Sequence, residues 1–309
     1  MGVEEAILDV ESVLVFSPLG FLCRLLMIYV FQTDGIYGQF KAGCVVLSEY
    51  SFILGILSTI RSTPCNSSLL KGLSTGFCGC ASTFGTLITL ASYQFVLGAK
   101  QASFFVCAIS IAFIVVGTGV ARDAFDNGYQ LYTSMQKFQR TLQITELDTP
   151  HYPILFLIFS TLLGLEIICY IVLIPFYEKT SYYLFGFVFT CLGALLRFFI
   201  SNYLNPYSNR FFIGTFVCNV IGSIVASVVM MVLKWKASRS ESFSFVIESL
   251  ISAQSVGLAS ALTTMSTYAK ETTGLKKNYK WFVVYSWSSV LVSFGFCCLI
   301  FALNLQIYQ

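Results

Sequence analysis

The chain has 309 residues, 56% hydrophobic and 16% aromatic, with 18 Lys/Arg, 15 Asp/Glu and a mean hydropathy of +0.78. Charged residues make up 11%, against about 25% in ordinary soluble domains, too few to cover a water-soluble globule. That excludes soluble enzymes and nucleic-acid binders and predicts an all-α polytopic membrane protein with short loops; a net charge of +3 spread over those loops identifies no acidic partner.

The rest of the inventory is lean. The one histidine, His151, sits in a Pro-flanked loop (Thr149-Pro150-His151-Tyr152-Pro153), which argues against a histidine-based metal or catalytic centre. Most of the eleven cysteines lie in apolar runs and read as small buried hydrophobes rather than a zinc or disulfide framework. Glu4, Glu5, Asp9 and Glu11 precede the first apolar run, the opposite of a basic signal-peptide start, so that run is expected to stay as a helix.

A spanning helix needs about 20 mostly apolar residues. Nine segments qualify: 13–31, 42–60, 73–98, 102–121, 154–177, 183–204, 212–233, 245–269 and 281–304. The long break 122–153 holds Arg122, Asp123, Asp126, Lys137, Arg140, Glu146 and Asp148 and is predicted to carry a short surface helix. Asn66-Ser67-Ser68 is a glycosylation sequon only if its loop faces the lumen.

The odd count of nine has a source in the pattern. Leu19-Gly20-Phe21-Leu22-Cys23-Arg24 echoes Leu192-Gly193-Ala194-Leu195-Leu196-Arg197, 173 positions later. Residues 76–86 of the third span echo 257–267 of the eighth, 181 later. The chain therefore divides into a four-helix repeat (1–121), a connecting loop (122–153), a linker span (154–177) and a second four-helix repeat (178–309). One extra crossing turns the second copy upside down, the inverted duplication common in transport proteins. Ten Lys/Arg fall on the loops of the N-terminal side and six on the other, so the positive-inside rule favours a cytoplasmic N-terminus and an external C-terminus.

Two features carry chemistry. Spans three and eight pack small and hydroxyl residues at mid-length: Gly76, Gly79, Ser82, Thr83, Gly85 and Thr86 in one, Gly257, Ser260, Thr263, Thr264, Ser266 and Thr267 in the other. Small residues in one helix can simply mean close packing; two related copies read better as interrupted helices meeting at the midplane, where exposed carbonyls suit a small cation such as Na⁺ and hydroxyls suit an anion. Span seven stacks Thr215, Asn219 and Ser223 at i, i+4, i+8, and span nine stacks Tyr285, Ser289 and Ser293 in the same way. Each stripe alone can be interhelical glue; together they read as a donor-lined path.

Gly193-Ala194-Leu195-Leu196-Arg197, the run Gly214-Thr215…Asn219…Gly222-Ser223, and Thr263-Thr264-Met265-Ser266-Thr267-Tyr268 with Glu271 resemble the CrcB/Fluc fluoride channels, and the fused double repeat resembles their eukaryotic fluoride-exporter (FEX) branch. The resemblance implies a fluoride pore, an inverted single-chain pseudo-dimer in the bilayer, and a structural Na⁺. It places the pore asparagine at Asn219 and the pore phenylalanines at Phe84 and Leu87, and at Met265 and Tyr268. Vestibule residues fall at Arg24, Arg197 and Glu271. Carbonyls for Na⁺ fall near Gly79, Ala81 and Ser82, and near Ser260, Leu262 and Thr263. Thr264 and Thr267 join the hydroxyl lining beside Thr215, Ser223, Tyr285, Ser289 and Ser293.

The first repeat departs from this pattern. Aligning Ser51 with Ser223 puts Leu47 where Asn219 sits and Gly43 where Thr215 sits, and the 181 offset puts Phe104, Ala108 and Ala112 opposite Tyr285, Ser289 and Ser293. One working pore is therefore expected, lined by the second repeat and completed by Phe84, with the other closed or vestigial. Conduction needs no acid–base residue, so passive export across the plasma membrane and fluoride resistance are the expectation, and no enzyme motif is present. The alternatives are a fluoride/proton antiporter using Glu49 or Glu166, or a transporter of another small anion. Glu49–Arg24 reads equally as a structural pair.

Overall fold

The computed structural model describes residues 3–31, 35–60, 67–141, 161, 181–239 and 245–307. The expected linker span lies almost entirely outside them, as do Glu166, His151 and Asn66.

The first repeat consists of α1 (Val3–Phe31), α2 (Gly35–Leu57), a broken third crossing and α6 (Phe104–Thr141). The broken crossing runs through α3 (Ser67–Lys71), a π-helical stretch (Gly72–Cys78) and α4 (Gly79–Ala81), stops at Ser82 and Thr83, and resumes as α5 (Phe84–Lys100). The second repeat repeats the plan with α7 (Ser181–Leu204), α8 (Ile213–Arg239), α9 (Phe245–Ala253), a π-helical stretch (Gln254–Ala259), α10 (Ser260–Leu262), α11 (Met265–Gly274) and α12 (Tyr279–Ile307). Among the described residues seven helical stretches are long and apolar enough to cross a membrane, and Gly43–Leu57 is a shorter apolar one. The protein is an all-α, multi-pass membrane protein.

Burial is reversed relative to a soluble globule. Leu26, Val30, Phe199 and Leu291 are exposed, while Arg24, Ser82, Asn219 and Ser289 are buried. Lipid as solvent gives this pattern, because tails accept apolar side chains and polar groups must find partners inside.

Each repeat lends its half-helix to the other. Beyond its own α6, α5 packs on α8 and α12 of the second repeat, and α11 packs on α2 and α6 of the first. Close approach at the start of each repeat needs glycine: a Cβ on Gly20 would lie 2.3 Å from the Phe77 carbonyl oxygen, and one on Gly193 would lie 2.5 Å from that of Leu258.

Helix bounds differ most from expectation in two places. α1 begins at Val3, ahead of the predicted 13, because acidic residues suit a helix N-terminus and no breaker intervenes; Asp9 is buried there, accepting from Ser68 Oγ at 2.7 Å and Lys71 Nζ at 2.6 Å. α6 runs on to Thr141 instead of stopping at 121. Arg122 and Asp123 mark where the chain leaves the apolar layer, which is a change of solvent and not a helix stop.

Candidate functional site

A break in a helix at membrane depth strands backbone groups, each costing several kcal/mol in hydrocarbon. Here the two breaks satisfy one another. Ser82 Oγ accepts from Ser266 N–H at 3.0 Å, at the start of α11, and Thr263 Oγ1 accepts from Gly85 N–H at 3.1 Å, at the start of α5. The 181 offset relates these two bonds residue for residue. Met265 N–H donates to Ser82 O at 2.9 Å, and Thr83 and Thr264 cap their own half-helices by accepting from Thr86 and Thr267 N–H.

The arginines finish the accounting. Arg24 and Arg197, expected at vestibules, are both buried, 3% and 2% exposed. Arg24 donates from Nη1 to Cys80 O at 3.2 Å and from Nη2 to Val256 O at 2.5 Å. Arg197 donates from Nη1 to Gly79 O at 2.9 Å and Thr263 O at 3.2 Å, and from Nη2 to Thr75 O. Thr75 and Val256 are again 181 apart and lie in the two π-helical stretches, where the ladder is out of α register. Arg24 and Arg197 each follow the close-packing glycine by four residues, one helical turn on the same face. The Glu49–Arg24 pair is not formed: Arg24 is spent on carbonyls and Glu49 is exposed.

The carbonyls expected to hold Na⁺ come together at this crossing, but four of the six already accept hydrogen bonds. Gly79 and Thr263 accept from Arg197, Ser82 accepts from Met265 N–H, and Ser260 accepts from Thr263 Oγ1 at 3.3 Å. With a guanidinium between carbonyls of both repeats, the site as built does not fit a second cation. Ala81 and Leu262 are buried beside it.

The donor stripes lie side by side in the second repeat. Thr215, Asn219, Ser223, Tyr285, Ser289 and Ser293 are all fully buried. Glu271, itself buried, joins one end by accepting from Thr215 Oγ1 at 2.6 Å and Tyr285 Oη at 2.5 Å; at the other end Cys297 Sγ lies 3.5 Å from Ser223 O. Asn219 clamps the break: its Oδ1 accepts from Thr264 N–H at 2.8 Å and its Nδ2 donates to Thr264 O at 3.3 Å. Ser289 Oγ donates to Tyr285 O, while Ser223 Oγ and Ser293 Oγ have no protein partner. Phe84 reaches in from the first repeat, its ring 5.5 Å from that of Tyr268, which in turn is 5.9 Å from Tyr285. Buried Thr264 Oγ1 lies 3.2 Å from Oγ1 of half-buried Thr267, at the start of α11.

Among the described residues the first repeat shows no such cluster. By the same offsets Gly43, Leu47, Leu87 and Leu90 occupy the places of Thr215, Asn219, Tyr268 and Glu271. All four line a mainly apolar cavity of about 670 Å³, which Arg24 and Lys234 also reach. One alignment needs correction. Phe104, Ala108 and Ala112 are exposed, so they cannot be the counterparts of Tyr285, Ser289 and Ser293. α5 has 17 residues and α11 has 10, so the offset falls to 175 between the starts of α6 and α12. The true counterparts are Ser110, Ile114 and Thr118, and the two hydroxyls donate to their own helix backbone.

Sequence reasoning missed Asn205. Its Oδ1 accepts from Gly214 and Thr215 N–H, capping α8, and its Nδ2 reaches Thr215 Oγ1 at 3.2 Å. The signal was an asparagine before proline just ahead of an apolar run.

Residues 184–302 match the family model described as CrcB-like protein, Camphor Resistance. "Fluoride export protein 1" of Candida albicans is 24% identical over 246 residues, 72% of this chain and 58% of that protein. "Fluoride export protein 1" of Neurospora crassa is 32% identical over 107 residues, covering 34% of this chain and 19% of its own length. "Fluoride-specific ion channel FluC 1" of Methanosarcina acetivorans is 29% identical over 89 residues, 29% of this chain and 63% of that protein. The chain thus spans under two thirds of the length of each of these curated relatives. No solved structure matches. The family match covers residues 184–302, from α7 to α12, the half of the chain in which the buried donor cluster lies.

Proposed function

We propose that this protein is a fluoride-selective channel that exports the anion passively from the cytoplasm across the plasma membrane and so gives fluoride resistance. In this reading one chain is an inverted pseudo-dimer, with the N-terminal side cytoplasmic and the C-terminal side external, and it conducts through one path. The observation that carries the single path is the contrast between Thr215, Asn219, Tyr268 and Glu271 in one half and Gly43, Leu47, Leu87 and Leu90 in the other. The names of the relatives, a fluoride export protein and a fluoride-specific ion channel, support fluoride as the ion.

Fluoride is small and strongly hydrated, so a narrow path must replace its water with donors at each step. The second Nδ2 proton of Asn219, the unpartnered hydroxyls of Ser223 and Ser293, and the positive edges of the Phe84 and Tyr268 rings supply them. Glu271 holds Thr215 and Tyr285 at one end, so an arriving anion competes with its carboxyl group for those two hydroxyls. At the matching positions the cavity of the other half presents Gly43, Leu47, Leu87 and Leu90, none of which carries a side-chain donor. A cell-negative potential favours anion exit by about 2.3 kcal/mol per 100 mV, so no coupled ion is required. Fluoride efflux from liposomes holding the purified chain tests the reading, with chloride as the control: fluoride should leave and chloride should not. Equal efflux of both, or of neither, overturns it.

A further inference from the structure

We infer that Arg197 is the resident cation of the repeat crossing, a tethered guanidinium standing where a free sodium ion was expected. This deepens the channel reading and rests on its assignment of the path to Asn219. Three observations converge. Nη1 of Arg197 bonds one carbonyl from each repeat, Gly79 O at 2.9 Å and Thr263 O at 3.2 Å. The side chain is 2% exposed, and a Cβ on Gly79 would lie 2.2 Å from Nη2, so the arm is built around the guanidinium. No acidic side chain pairs with it among the described ion pairs; two of its partners, Gly79 O and Thr263 O, lie where the broken helices end, near the negative poles of two half-helix dipoles.

The position has a consequence for the path. Thr263 C=O and Thr264 N–H belong to one peptide group. Arg197 donates to its oxygen, and its N–H donates to Asn219 Oδ1 at 2.8 Å. A positive charge on the carbonyl polarises the peptide and strengthens donation from the far end. Arg197 is therefore a positioning residue: through one peptide it fixes the amide of Asn219 and turns the remaining Nδ2 proton away from the backbone. Arg24, whose carbonyl partners are Cys80 and Val256, has no such peptide link to Leu47.

A tethered cation cannot be washed out, which separates it from a bound ion. The test uses the full wild-type chain purified in potassium and free of sodium. Elemental analysis should find well under one sodium per chain after brief exposure to sodium chloride, and the Tm should be the same in sodium as in potassium, since a ligand that binds only the folded state raises it. One retained sodium per chain with a higher Tm in sodium overturns the inference, whether or not the protein conducts fluoride. In liposomes, wild-type efflux should be equal with and without sodium, and a requirement for sodium overturns it as well. Arg197→Met should lose at least about tenfold of the efflux. Arg197→Lys, which keeps the charge but not the two-armed geometry, should recover part of it and remain indifferent to sodium; a lysine variant that becomes sodium-dependent overturns the inference.

Discussion

Ser82 Oγ accepts the backbone N–H of Ser266 at 3.0 Å, so a hydroxyl of the first repeat caps a half-helix of the second. The same hydroxyl donates to Cys78 O at 2.8 Å, tying that cap to its own arm. Thr263 does the reverse service for Gly85. Ser82→Ala is expected to cost about 1 kcal/mol, within the range of lost helix caps, and Thr263→Val a similar amount. Thermal unfolding in detergent measures both. Wild-type melting in both variants would mean the exchanged caps contribute nothing to the crossing.

Gly20 and Gly193 make a second, symmetric prediction. Alanine at either would drive a methyl into a backbone carbonyl, and overpacking of this kind costs about 1–3 kcal/mol. Gly20→Ala and Gly193→Ala should lower the Tm alike, although only the second repeat carries the donor cluster. A large loss at one and none at the other would contradict the reciprocal packing of the two repeats.

Tyr285 separates packing from hydrogen bonding. Its ring lies 5.3 Å from Phe211 and 5.6 Å from Phe212, while its hydroxyl donates to Glu271. Tyr285→Phe keeps the ring contacts and removes one buried hydrogen bond to the Glu271 carboxyl group, a loss of about 1 kcal/mol. Denaturant or thermal unfolding reads the stability, and efflux should fall as well because the stripe loses its outermost donor. Unchanged stability would mean Glu271 is satisfied without Tyr285.

Much of this arrangement was legible in the sequence. Apolar runs of spanning length marked most of the described helices, and the offsets of 173 and 181 fall on matching contacts, Gly20 with Gly193 and Ser82 with Thr263. Thr215, Asn219 and Ser223 announced a buried face by helical spacing alone. Three things were not legible. The end of α6 was hidden because charge at Arg122 and Asp123 marks a solvent boundary without breaking a helix. The counterpart of Tyr285 was misassigned because α5 and α11 differ in length, which a fixed offset cannot see. The partners of Arg24 and Arg197 were hidden because they are backbone carbonyls, and every residue type presents one.

The central claim is that conduction runs through the donor cluster of the second repeat and not through the apolar half. Asn219→Asp tests it most directly. The carboxylate keeps an acceptor for Thr264 N–H, so the break stays capped, but it removes both N–H donors and adds a charge that repels an anion. In liposomes the account predicts that Asn219→Asp, with a wild-type elution profile, loses fluoride efflux by at least about a hundredfold, while Leu47→Ala conducts as the wild type does. Efflux that survives Asn219→Asp, or that is abolished by Leu47→Ala, would contradict it.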